Sequence, residues 1–184
     1  MAKVAVLMAT GYEEGETLTI VDILRRAGVE CHTFHFGEPL VTGMHGMKIQ
    51  ADKPFGDQVK TYDVLVLPGG RPGGANLREN PDVIRMVQYF NSQPGKYVAA
   101  MCSGTLVLAE ANVIQGKKLT GYTGYAEKLP GGIFLQDVVV ADQNLITSQG
   151  PATPFPFAYK IAEVLGKDVS VLKEKMLYHF AGGK

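Results

Sequence analysis

Cys102 stands where the apolar run YVAAM (97–101) ends and the small pair Ser103-Gly104 begins. A helical pattern follows at once, so the thiol is predicted to sit on a strand-to-helix elbow, a turn tight enough to expose one side chain above a sheet. A thiol at a helix N-terminus meets unpaired N–H groups and the positive end of the dipole. The expected result is a pKa lowered from about 8.5 toward 7.5 or below, and a nucleophilic thiolate. Cysteine at a strand end is also a common small core residue, so the reading depends on what neighbouring loops bring to it.

Two such loops carry the right residues. Gly69 and Gly70 follow the apolar run DVLVL and can present backbone N–H groups to an oxyanion beside the Ser103 N–H. Pro-Gly-Gly is equally an ordinary turn signal. Glu16 lies at the start of the first helical pattern, from which it can cross the tops of adjacent strands to reach Cys102. Two negative charges in contact repel, so Glu16 is expected to be protonated, with a raised pKa, donating a hydrogen bond to the thiolate. Glu13 and Glu14 are read as solvated charges at the positive helix end.

These groups need a scaffold. Apolar runs of strand length recur at 3–9, 31–36, 63–70, 96–102, 136–142 and 144–150, and those at 3–9, 63–67 and 96–101 are nearly all apolar, as in parallel strands covered on both faces. The last two runs, separated by a short turn, can instead pair as a hairpin. Between the runs lie helical patterns. One carries Leu18, Ile20, Val21 and Leu24 and stops at Gly28. The next has Asn80 as N-cap, Pro81 at the first helical position and Val83, Val87 and Phe90 inward. A third follows Cys102 with Leu106, Val107 and Ala109 packing, and the last is PFPFAYKIAEVL closed by Gly166. Strands alternating with helices predict a flavodoxin-like, doubly wound α/β fold, with a mainly parallel sheet and helices on both faces. Ligand sites of such sheets lie at the carboxyl ends of the strands.

The 184 residues suit one domain spanning 1–184. Eighteen Lys and Arg balance eighteen Asp and Glu, which gives no broad attraction for nucleic acid or acidic lipid. No apolar run spans a bilayer, and with two cysteines, Cys31 and Cys102, the expectation is a cytoplasmic protein with a free thiol rather than a secreted disulfide scaffold. His32, His35 and Cys31 on one strand are read as structural; no metal site is expected.

The segments GYEEGET, VDILRRAG, YDVLVLPGG followed by ANL, AAMCSG, KKLTGY and LITSQGPAT, running in order along nearly the whole chain, resemble the ThiJ/PfpI superfamily and, within it, the DJ-one branch. The resemblance implies that Cys102 is the oxidisable nucleophile, Glu16 its carboxylic-acid partner, Gly70 and Ser103 main-chain donors, and Pro151 a pocket residue. It places Tyr122 where the human family member carries a histidine. His45, in the VTGMHGMKIQAD segment that forms a projecting strand pair in the family, is taken as a pocket-bordering residue, as are Gly69 and Tyr122. The peptidase-like branch has histidine directly after the cysteine; Ser103 here argues against proteolysis. The late histidine–glutamate pair of glutamine-amidotransferase relatives is not provided by His179-Phe180-Ala181.

By resemblance, then, the expected activity is a cofactor-independent, cysteine-dependent glyoxalase or deglycase acting on methylglyoxal or its adducts. The alternatives are a redox-sensing or chaperone-like protein in which Cys102 is oxidised to sulfinic acid and, less favoured, an intracellular cysteine peptidase. A homodimer formed around the first helix is expected.

Overall fold

The structure of the chain, a computed structural model, describes residues 2–180; Ala181 lies outside them. In chain order the elements are β1 (Lys3–Met8), α1 (Glu14–Arg26), β2 (Glu30–His35), β3 (Leu40–Thr42), β4 (Lys48–Gln50), β5 (Lys53–Pro54), β6 (Val64–Leu67), α2 (Gly73–Arg78) and α3 (Pro81–Ser92). There follow β7 (Tyr97–Met101), α4 (Thr105–Glu110), β8 (Lys118–Leu119), β9 (Ile133–Phe134), β10 (Val139–Asp142), β11 (Leu145–Ser148), α5 (Pro154–Val164) and α6 (Ser170–Lys175).

Seven strands form one sheet in the order β10-β11-β7-β6-β1-β2-β5, and every pairing is parallel except β10 with β11. The last two apolar runs are therefore a hairpin, with Gln143 at φ 52 in its turn. Alternation in the central strands explains why their sequences look uniformly apolar. Val4, Val6, Val64, Val66, Ala99 and Met101 face α1 and α5, while Ala5, Leu7, Leu65, Leu67, Val98 and Ala100 face α2, α3 and α4. Each face has its own core, so no position on these strands is left for a polar side chain.

The helix ends follow the sequence signals closely. Asn80 Oδ1 accepts from Asp82 N at 2.9 Å with Pro81 opening α3. α1 ends with Gly28 at φ 70, its N–H bonded to Arg25 O and that of Val29 to Leu24 O. α5 ends with Gly166 at φ 77 in the same manner. Left-handed residues just past a helix favour glycine because it lacks a Cβ. The β3–β4 hairpin stands apart from the sheet, and its turn packs back on the start of α1, where Met44 N donates to Tyr12 O at 2.9 Å.

Strand order reverses beside β1: the chain moves outward to β2 and β5, then returns to the other side at β6 and continues to β7. A crevice opens at such a switch point, above the carboxyl ends of β1, β6 and β7.

Candidate active site

Cys102 follows the end of β7 with φ 53, one of four non-glycine residues at positive φ among the described residues. Holding an L-residue in the left-handed region costs on the order of 1–3 kcal/mol, and small neighbours make the conformation attainable. A Cβ at Gly104 would run into the carbonyl of Leu67, and one at Gly74 into the Ser103 side chain. A Cβ at Gly69 would stand 2.6 Å from Cys102 Cβ, 2.9 Å from its Sγ and 2.8 Å from Glu16 Oε2. Gly69 is thus the bare backbone over which thiol and carboxyl meet.

Glu16 sits in the first turn of α1, fully buried. Its Oε2 accepts from Gly69 N at 2.8 Å, and its Oε1 has no hydrogen-bond partner. Burial pushes this carboxyl up to about 7, with the Glu13 charge adding to the rise and the bonds to Gly69 and Cys102 opposing it. A raised Glu16 was expected from the like-charge argument; burial supplies the larger part.

The thiol departs from expectation. Burial first, then the charge of Glu16 and the bond to it, push Cys102 up to about 12, against the N–H groups of Ser103 and Gly70, which lower it. The N–H groups at the start of the 3₁₀ turn 102–104 do act in the expected direction, and burial and Glu16 outweigh them. Each charge raises the cost of the other, so the pair retains a proton through the neutral range. Thiolate is formed where Glu16 takes up the proton.

The main-chain donors at Gly70 and Ser103 do converge on the thiol, and the two loops are tied by Ser103 Oγ donating to Gly70 O at 3.0 Å. A cavity of about 250 Å³ opens over Cys102, walled by Gly70, Ser103, Tyr122 and Pro151 as expected, and by Glu13, Met44, Arg71 and Tyr125 besides. The Tyr122 and Tyr125 rings meet edge to face with centroids 5.5 Å apart. Gly150 leaves room for Tyr122, whose ring would lie 3.2 Å from a Cβ there.

Three expectations need correction. Gly69 lies beneath the thiol rather than in the cavity wall. His45 does not border the cavity: its exposed ring pairs Nδ1 with Glu14 Oε2 at 2.9 Å, and its neighbour Met44 takes the wall position. Glu13 and Glu14 are buried, not solvated. Glu13 caps α1 by accepting from Glu16 N at 2.5 Å. Glu14 accepts from His45 N at 2.8 Å and Met47 N at 3.4 Å as well as from the His45 ring, pinning the β3–β4 turn. Burial works against the Glu14 charge, but the bonds from the His45 side chain and from the His45 and Met47 N–H groups outweigh it and hold the carboxyl below its ordinary value. Glu13, Glu14 and His45 bring ligand-type atoms within 4.8 Å of one another, an arrangement that capping and pinning already account for.

Of the other candidates, Cys31 is buried in the core against α1, and burial pushes its thiol up to about 12. His32 bonds its Nδ1 to Tyr62 OH at 2.9 Å, and His35 is buried on the opposite face of β2. Tyr125 was missed, and its spacing of three from Tyr122 is the signal that could have found it. Nothing marked Arg71 or Met44.

A doubly wound sheet with a strained cysteine at a strand-end elbow, over a buried acid, defines a class of cysteine-centred α/β proteins. The chain belongs to the DJ-1/PfpI family, whose sequence model matches residues 2–164. It is 32% identical over 180 residues to the glutathione-independent glyoxalase DJ-1 of Schizosaccharomyces pombe, covering 91% of this chain and 94% of that protein. It is 31% identical over 167 residues to deglycase PH1704 of Pyrococcus horikoshii, covering 89% and 99%. Among solved structures, Drosophila melanogaster DJ-1beta superposes with TM-score 0.89 at 35% identity, covering 96% of this chain and 97% of that one. No helix among the described residues is long and apolar enough to cross a membrane.

Proposed function

We propose that this chain is a cofactor-independent, cysteine-dependent enzyme of the glyoxalase or deglycase type, acting on 2-oxoaldehydes such as methylglyoxal or on their adducts with amines and thiols. The observation that carries the reading is a Cys102 thiol paired with a buried carboxyl raised to about 7, a value suited to taking and returning a proton near neutrality. In the first step Sγ bonds to the aldehyde carbon, the thiol proton passes to the Glu16 carboxylate, and the carbonyl oxygen becomes an alkoxide facing the Gly70 and Ser103 N–H groups. Glu16 returns the proton to that oxygen, giving a hemithioacetal. Transfer of the aldehyde hydrogen as a proton from C1 to C2, with the C1 hydroxyl proton passing to the C2 oxygen, converts it to the lactoyl thioester, and one water hydrolyses the thioester to lactate and free thiol. Methylglyoxal plus water balances as lactic acid, so no external oxidant or reductant enters. An amine adduct would release the amine with the lactate. Relatives named as a glyoxalase and a deglycase support this chemistry.

Lactate formation from methylglyoxal should be abolished in Cys102→Ala and Cys102→Ser; turnover that survives both removes the reading. A homodimer is part of the proposal, and light scattering should give twice the 19.9 kDa chain mass. A second reading has its own observation: the buried Glu16 carboxyl that bonds to Cys102 can donate a hydrogen bond, when protonated, to a sulfinate formed by peroxide. Mass spectrometry after peroxide should show a two-oxygen adduct on Cys102 that accumulates less in Glu16→Ala.

A further inference from the structure

The cavity over Cys102 does not end at the thiol. A second cavity of about 230 Å³ lies between α2 and α4, and the two share Gly70, Arg71, Ser103 and Tyr125 as common walls. Methylglyoxal, with five non-hydrogen atoms, needs only part of the space that the two cavities offer, and Arg71 lines both.

Arg71 is exposed, and among the described residues it has no hydrogen bond or ion pair. Glu13, whose Oε2 accepts from Glu16 N, keeps an anion in the wall of the first cavity, whereas the second cavity holds Arg78, 3.8 Å from Glu79, so an anionic ligand group is favoured on the second side of Arg71. A free guanidinium presents a planar fork of donors that matches one carboxylate. A single such group balances one negative charge and falls short of a phosphate dianion.

Building on the carbonyl chemistry proposed above, we propose that Arg71 and the groove behind it form an anion subsite, which selects 2-oxoaldehyde adducts whose thiol or amine portion carries a carboxylate. The aldehyde carbon is presented to Cys102 in the first cavity, and the carboxylate-bearing remainder extends past Arg71 into the second. Arg71 is a specificity-determining residue in this arrangement and takes no part in bond making.

Two matched comparisons test it. The first needs no turnover: alkylation of Cys102 by iodoacetate, an anion, against iodoacetamide, its neutral counterpart, followed by mass spectrometry. In Arg71→Gln the iodoacetate-to-iodoacetamide rate ratio should fall by about two- to fivefold, the size of one exposed charge-assisted contact. Arg71→Lys should recover part of it, and Arg85→Gln, a change on α3, should leave it at the wild-type value. The second comparison uses the methylglyoxal hemithioacetals of N-acetylcysteine and N-acetylcysteine amide. Wild type should prefer the carboxylate in kcat/KM, and the preference should collapse in Arg71→Gln. An alkylation ratio unchanged in Arg71→Gln, or falling equally in Arg85→Gln, overturns the subsite. Absence of lactate from either adduct, with the ratio shifting as stated, overturns the catalytic reading and leaves an anion-binding cleft.

Discussion

Glu16→Gln removes the ionisation of the buried acid while keeping its shape and an acceptor for the Gly69 N–H. In the folded chain the carboxyl is raised from 4.5 to about 7, whereas the unfolded chain holds it near the ordinary value. Between those two pH values the folded state keeps a proton that the unfolded state has released. Wild-type stability therefore falls as pH rises through this window, by roughly 3 kcal/mol for a carboxyl displaced this far. The variant has no such group and no such loss. Urea unfolding at about pH 4.5 and about pH 8 should show the stability difference, variant minus wild type, growing by roughly 3 kcal/mol in favour of Glu16→Gln. A difference that stays flat across the window would mean that Glu16 ionises normally, through water or a donor reaching Oε1, and the proton-shuttle role would fall with it.

Gly69→Ala places a methyl between Cys102 and Glu16, so it should lose most lactate formation and destabilise by about 1–3 kcal/mol, as overpacking does; wild-type turnover would show that the floor is soft. Iodoacetamide should label Cys102 at least about tenfold faster than Cys31, although burial raises both thiols, because one faces a cavity and the other the core. Equal rates for the two peptides would contradict that placement. Glu14→Gln should cost about 1–3 kcal/mol and speed amide exchange at His45 and Met47. Since the folded Glu14 pKa is depressed, its contribution is present above the ordinary carboxyl pKa and fades as pH falls through the folded value, so wild type and variant should converge in acid.

Much of this was legible in the sequence because the signals were local. The apolar runs gave the central strands, Asn80-Pro81 and the terminal glycines gave helix ends, and Cys102-Ser103-Gly104 gave the elbow. The short elements were hidden: α2 grows out of PGGRPGGAN, which reads as loop, and α6 has no strong period. The site was legible as to which residues meet, since Glu16, Gly70, Ser103 and Cys102 all lie in the segments that follow the carboxyl ends of strands, which a parallel sheet gathers. The raised Glu16 was legible from the like-charge argument; the raised thiol was not, because desolvation depends on packing from α1 and the neighbouring loops rather than on residue type. Glu13 and Glu14 show the same gap: a run of acids reads as solvent-facing, yet one caps a helix and the other anchors a hairpin 31 residues away.

The left-handed backbone at Cys102 bears on when the thiol is positioned. Its φ of 53 is imposed by surrounding backbone and by glycines that tolerate no side chain, so the nucleophile is aimed as the chain folds and not as each carbonyl arrives. The backbone share of that ordering is completed once, and rotation about the Cα–Cβ bond is what remains for the sulfur to settle when a ligand enters the cavity.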